Sequence, residues 1–115
     1  MDISYLKNYV YFCMYSNKIY KVHFEWDENK NRINIKKHGV SFEAAQYAFA
    51  DLNRIIAEDV KHSTKKEKRY FCYGKINDLV VTVRFPYRKN EIRIIGAGYW
   101  REGKQVYEYE KKNKI

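Results

Sequence analysis

Cysteine, proline and long apolar stretches are all scarce in this chain, and each shortage closes off a class of protein. The two cysteines, Cys13 and Cys72, stand far apart among apolar and aromatic neighbours. They supply neither a disulfide framework nor the paired spacing of a zinc site, so no metal and no cofactor is expected, and a reducing cytoplasm suits the chain. The longest unbroken apolar run, Tyr9 to Tyr15, falls far short of the roughly 20 residues that span a bilayer. No membrane association is expected. The first residues lack the basic opening and the small-residue cleavage site of a signal peptide, so export is not expected either. No glycine-rich phosphate loop and no nucleophile elbow occurs. The single proline, Pro86, falls inside a strand-like stretch, and without linkers, repeats or low-complexity tracts the chain reads as one domain.

What is abundant is positive charge. The 115 residues carry 23 Lys and Arg against 14 Asp and Glu, a formal net charge of +9, while 45% apolar content suffices for one core. The excess is not spread evenly, because residues 61–115 hold fifteen basic against six acidic side chains and so account for all of it. Such a field draws in phosphate backbones or acidic proteins before any specific contact forms; a merely solubilising surface is the alternative.

The segment Met1–Lys21 is Tyr-rich and without clear period, and it is set apart as an N-terminal extension of unknown role or a packing arm. Residues 22–110 are expected to form the domain and 111–115 to fray. Val22–Trp26 reads as a short strand. Asp27 then caps a helix running to about His38, where Gly39 supplies the left-handed stop. With only Ile33 and Ile35 as apolar residues, this helix is expected on the surface, presenting Lys30, Arg32, Lys36 and Lys37 to solvent. Ser41 caps a second helix whose Phe42, Ala45, Ala48, Phe49 and Leu52 form an apolar stripe. Glu58–Lys68 reads as an exposed loop. Three antiparallel strands follow, Arg69–Lys75, Leu79–Tyr87 and Glu91–Tyr99, and the chain after Trp100 reads as a short helix. The fold class is therefore α+β, two N-terminal helices on a small antiparallel sheet with a short C-terminal helix.

Alternation predicts that Leu79, Val81, Val83 and Phe85 face the core. Pairing Val83 with Ile94 and Phe85 with Ile92 then sets Arg84 directly opposite Arg93, and a two-residue turn at Asn77-Asp78 pairs Phe71 with Arg84 and brings Arg69 onto the same face. Like charges opposite one another destabilise a sheet, so a cationic strip of this kind points to an anionic partner.

Phe24-Glu25-Trp26-Asp27, Lys30, Asn34, Lys37-His38-Gly39-Val40-Ser41-Phe42-Glu43, Ala45 and Phe49 resemble the N-terminal signature of the BrnT toxins. The likeness continues through Asp59, His62, Arg69-Tyr70, Gly74 and Ile92-Arg93-Ile94-Ile95, covering roughly residues 22–100. The resemblance implies a RelE-like fold and an RNA-cleaving toxin of a type II toxin–antitoxin pair, which inhibits translation and is neutralised by a DNA-binding BrnA-like antitoxin. Operator DNA is then met only through the antitoxin, and a homodimer within the complex is allowed for. It also carries Lys30 and Arg84 over as catalytic residues. The chain departs from the pattern where many relatives read Ser-Ala-Arg, since it has Gly96-Ala97-Gly98, and Lys104 stands where the family has Glu; Arg101 is the candidate substitute cation.

Metal-independent RNA cleavage needs a proton acceptor, a proton donor and cations around the phosphoryl oxygens. Lys30, Arg84 and Arg93 are assigned to the phosphate, with Arg69 and Lys37 as RNA-binding cations. Histidine suits proton transfer near neutrality, so His38 is a catalytic candidate, with helix capping as the competing role. Tyr99 and Trp100 offer rings for stacking a base, with Arg101 beside them; core or interface anchors are the other reading. A binding module acting with its antitoxin in operon repression, catalytically weak because of Gly96 and Gly98, is the alternative to an active ribonuclease.

Overall fold

A computed structural model of the chain describes residues 9–15, 18–88 and 91–113. Along the chain come β1 (Tyr9–Tyr15), β2 (Lys18–Trp26), α1 (Glu28–His38) and α2 (Phe42–Ala45), which passes into a 3-10 turn ending at Ala50. Then follow β3 (Ile55–Glu58), β4 (Arg69–Ile76), β5 (Leu79–Arg88), β6 (Glu91–Ile94), β7 (Gly96–Gly98) and α3 (Arg101–Asn113). The strands make one seven-stranded sheet in the order β1-β2-β6-β5-β4-β3, with β7 continuing beside β5. The expected all-antiparallel sheet is corrected here: β2 runs parallel to β6, pairing Phe24 with Ile92 and Trp26 with Ile94. Part of the stretch set apart as an extension, Tyr9–Tyr15, pairs antiparallel with β2, and Met1–Asn8 lie outside the described residues. Among the described residues no helix is long and apolar enough to cross a membrane.

Phe42, Ala45, Ala48 and Phe49 bury their stripe against Phe24, Val81, Val83, Phe85, Ile92 and Ile94 on one face of the sheet. Leu52, counted with that stripe, is 81% exposed. The helical turns end at Ala50, before a further turn could carry Leu52 onto the buried face. At Gly74 the backbone of Ala48 comes so close that any side chain would collide with its carbonyl, which is why the 3-10 turn can lie flat on β4.

The opposite face is covered too. Tyr107 of α3 packs with Tyr73 and Val80 in a second cluster, and Gly103 lets α3 approach until a Cβ there would overlap the Thr82 hydroxyl. The single-core-face reading of β5 is corrected accordingly: Val80 and Thr82 are buried while Leu79, at the turn, is exposed. The same helix continues through Lys111, Lys112 and Asn113, residues expected to fray, and Lys114 and Ile115 lie outside the described residues. Nor is Glu58–Lys68 simply loop. Glu58 closes β3, which pairs with β4, and Asp59 is buried, accepting from the His62 backbone and ring.

α1 forms between its expected signals. The Asp27 carboxylate accepts from the amides of Asn29 and Lys30, and Gly39 ends the helix at φ 73°. The amides of Lys30 and Asn29, outweighing burial, hold the Asp27 carboxyl below its ordinary range, helped by the charges of Lys30 and Arg93. The buried face of α1 is not its isoleucines, for Ile33 and Ile35 stay exposed, but Asn31 and Asn34. The Asn34 side-chain amide donates to the carbonyls of Val40 (3.0 Å) and Ala97 (2.9 Å) and accepts from the Ala97 amide (3.2 Å). Asn31 accepts from the Phe42 amide at 2.8 Å and donates to Glu28 and Glu43.

Two stability predictions follow from these contacts. Asn34→Ala strands the Ala97 amide and two buried carbonyls without partners, and it should lower the unfolding free energy by about 3 kcal/mol; urea titration reads this, and a loss under about 1 kcal/mol would contradict the role given to Asn34. Asp51, which accepts from the Tyr107 hydroxyl at 2.6 Å and the Lys75 amide at 2.8 Å, ties α3 to the opposite end of the sheet. Burial raises its pKa, but the Tyr107 hydroxyl, the Asn53 and Lys75 amides and the Lys111 charge together bring it below the ordinary value. A carboxylate with a depressed folded pKa adds stability above its unfolded value, and the contribution fades as pH falls through the folded one. The stability gap between wild type and Asp51→Asn should therefore be largest above about pH 4 and shrink below it, as paired denaturation curves across that range will show.

Candidate active site

Where β2 ends at Trp26, α1 takes over its place beside β7, and the seam between them opens as a shallow cleft of about 210 Å³. Lys30, Asn34, Lys37 and His38 enter it from one face of α1, Arg84 and Gly96 from the sheet, and Trp100 from the link between β7 and α3. The helical spacing explains the first group, since positions four, seven and eight after Lys30 return to the same side of a helix. Arg84 comes from the sheet face away from α2, half-buried beside Gly96, its partner across the β5–β7 ladder. Among the described residues no carboxylate lines this cleft, and Arg84 and Lys37 make no ion pair.

His38 and Trp100 form the far wall, their rings edge to face with centroids 5.2 Å apart. Among the described residues the His38 ring makes no hydrogen bond, so it is turned to the indole rather than to the carbonyls at the end of α1. Gly39 satisfies one of those carbonyls instead, donating to Ile35 at 2.9 Å. The Trp100 seat depends on Gly98: a Cβ at position 98 would stand 2.5 Å from Trp100 Cε2. A Cβ at Gly96, by contrast, would meet only Arg84 at ordinary contact distance. The two glycines thus do different things, one making room for an indole and one leaving space above Arg84.

The cationic strip drawn from the sequence is divided by the structure. Asn77 and Asp78 do form the tight turn, at φ 47° and 68°, and Phe71 does pair with Arg84. Arg93, however, does not lie opposite Arg84. Tyr87 pairs with Ile92 and Arg84 with Gly96, so three steps along β5 match four on the other side, and the extra residue is a bulge at Ile95. The faces were assigned correctly, as buried Ile92 and Ile94 attest, but the register is two residues from the expected one. Arg93 instead pairs with Glu25 of β2 at 3.2 Å, and Arg69 with Glu67 at 3.1 Å. Around Arg93 a second cleft, of similar size, is lined by Glu25, Glu67 and Glu91. Two clefts of equal volume therefore carry opposite charge, and only the one beside α1 invites an anion.

Of the residues singled out from the sequence, Lys30, Lys37, His38, Arg84 and Trp100 converge on one cleft. Arg69 and Arg93 lie apart with carboxylate partners, and Arg101 lies beyond Trp100, along a different groove. Among the described residues no group of three His, Cys, Asp or Glu side chains is placed to hold a metal ion. The roles missed by sequence reasoning are those of Asn31 and Asn34, which hold α1 in place, Asn34 lining the cleft as well. Their signal was two asparagines one turn apart in a helix without an apolar stripe.

The Gly98 contact gives a direct test. Gly98→Ala should displace the Trp100 indole from His38, changing the near-ultraviolet circular dichroism of the tryptophan bands while far-ultraviolet spectra stay as in the wild type; identical near-ultraviolet spectra would mean that Trp100 is not seated on position 98.

No curated protein matches the chain. The family profile described as ribonuclease toxin, BrnT, of type II toxin–antitoxin system matches residues 26–103, from the end of β2 to the first turn of α3 and so through every element that lines the cleft. With well over half of its length so matched, the chain belongs to the BrnT family of ribonuclease toxins of type II toxin–antitoxin systems.

Proposed function

We propose that this chain is a metal-independent endoribonuclease whose active site is the cleft between α1 and β7, and that it inhibits translation in the cytoplasm by cutting RNA. The observation that carries the reading is the convergence of Lys30, Lys37, Arg84 and His38 on one cleft without a carboxylate. Three cations around a cleft that no carboxylate lines among the described residues favour a phosphodiester, and the guanidinium of Arg84 offers two parallel donors to its oxygens. His38 takes the proton from the ribose 2′-hydroxyl, the 2′-oxygen attacks the adjacent phosphorus, and the bond to the 5′-oxygen breaks. Lys30 supplies the proton to the departing oxygen, while Arg84 stabilises the charge gathering on the phosphoryl oxygens. Lys37 and Trp100 hold the flanking strand, one by charge and one by stacking.

A BrnA-like antitoxin would silence the enzyme by covering the same cleft, reaching operator DNA on the toxin's behalf. The RelE-like relationship belongs to this same reading. Arg93 drops out of the catalytic set and Arg69 out of the RNA-binding set, since each faces a carboxylate that offsets its charge.

Induced expression should arrest growth with loss of total RNA. Lys30→Ala or Arg84→Ala should each relieve the arrest, whereas Arg93→Ala should not. Arrest relieved by Arg93→Ala and untouched by Arg84→Ala would move the site to the other cleft. Normal growth with soluble wild-type protein would leave the binding-module reading, which the absence of a side chain at Gly96 beside Arg84 favours.

A further inference from the structure

Trp100 lines two depressions. On one side is the cleft just described, and on the other a groove of about 420 Å³ between the β4–β5 turn and α3. The groove is lined by the cations Lys75, Arg101, Lys104 and Lys111 against the carboxylates of Asp78 and Glu108. Lys104 stands 3.9 Å from Glu108, with both side chains well exposed, a separation and setting in which an ion pair contributes little. Among the described residues Arg101 has no ion pair. Apolar and aromatic side chains line the groove as well, among them Leu79 and Tyr99, which are 56% and 48% exposed.

We propose that this groove binds the single-stranded RNA flanking the cleaved phosphate, so that the substrate runs from the catalytic cleft over Trp100 and along the start of α3. The inference rests on the ribonuclease reading and extends it to an RNA site of several nucleotides. Two observations favour RNA over an acidic protein segment. Trp100 lines both the groove and the cleft, so a strand held at Arg84 reaches the groove by passing over its ring. The exposed ring of Tyr99 and the partly buried one of Trp100 also stand beside cations here, and stacking planes beside phosphate-binding charges are what an unpaired nucleic acid strand uses, whereas a run of carboxylates needs the charges alone.

The test uses 2′-O-methyl oligoribonucleotides, which cannot be cut: a dinucleotide that fills only the cleft and an octanucleotide that reaches the groove. The wild type should bind the octanucleotide more tightly than the dinucleotide. Lys75→Gln combined with Lys104→Gln should flatten the logarithmic salt dependence of octanucleotide binding by about 1.4, or about 0.7 for each lost phosphate contact. Dinucleotide affinity should stay at the wild-type level. Both lysines are exposed, so the fold should tolerate these changes, and circular dichroism checks that. Tyr99→Ser should weaken the octanucleotide about tenfold, the scale of one lost base stack. Octanucleotide binding no tighter than that of the dinucleotide, or unaltered in these variants, overturns the groove assignment alone. Binding of poly-L-glutamate lost in the lysine variant while RNA binding persists would overturn it in favour of an acidic protein partner. A wild type that binds neither oligonucleotide overturns the ribonuclease reading itself, and with it the extension.

Discussion

A strand that stops beside a neighbour leaves the neighbour's backbone without partners, and the position of α1 follows from how this chain meets that demand. β2 ends at Trp26 while the strand beside it continues, past the bulge, as β7. The Ala97 amide and carbonyl, buried at that edge, take their bonds from the Asn34 side chain, whose amide has the same donor and acceptor pair as a peptide group. Asn31 meets a second demand one turn earlier, at the entry to α2. Polar pins of this kind fix rotation as well as distance. With Asn34 turned to β7, Lys30, Lys37 and His38 overhang the sheet beside Arg84; a helix docked through Ile33 and Ile35 would carry them elsewhere.

Much of the scaffold was legible from local rules, because local rules govern it. Asp27, Gly39 and Ser41 mark helix ends through hydrogen bonds to residues a turn away, and Asn77-Asp78 makes its turn through left-handed backbone that those two residue types tolerate. The core alternation of Val81, Val83 and Phe85 likewise holds. What local pattern does not contain is the bulge at Ile95, which moved Arg93 out of the expected pair with Arg84. Nor does it contain the placement of α3, which turned Val80 and Thr82 from an outer face into a second buried one. The short β3 escaped notice for a similar reason: an edge strand of four residues is held by its ladder to β4 more than by its own side chains.

The candidate site was legible in its residues and not in its grouping. Lys30, Lys37, His38, Arg84 and Trp100 could each be chosen from the sequence, but four of the five lie on or beside an asparagine-pinned helix whose docking face the apolar pattern did not reveal. Electrostatic segregation then does what counting charges could not. The excess of +9 is not a uniform coat, since the acidic cleft around Arg93 and the basic cleft around Arg84 sit on one small sheet. Membership of a ribonuclease toxin family and an anion-seeking cleft within the matched residues agree with one another.

The central claim is that this cleft makes the ribose 2′-hydroxyl the nucleophile, and the chemical ends of the cut RNA report on that directly. Purified protein incubated with end-labelled RNA in the presence of a chelator should leave 2′,3′-cyclic phosphate on one fragment and a 5′-hydroxyl on the other. Fragments bearing 5′-phosphate and 3′-hydroxyl ends, or cleavage abolished by the chelator, would contradict the account.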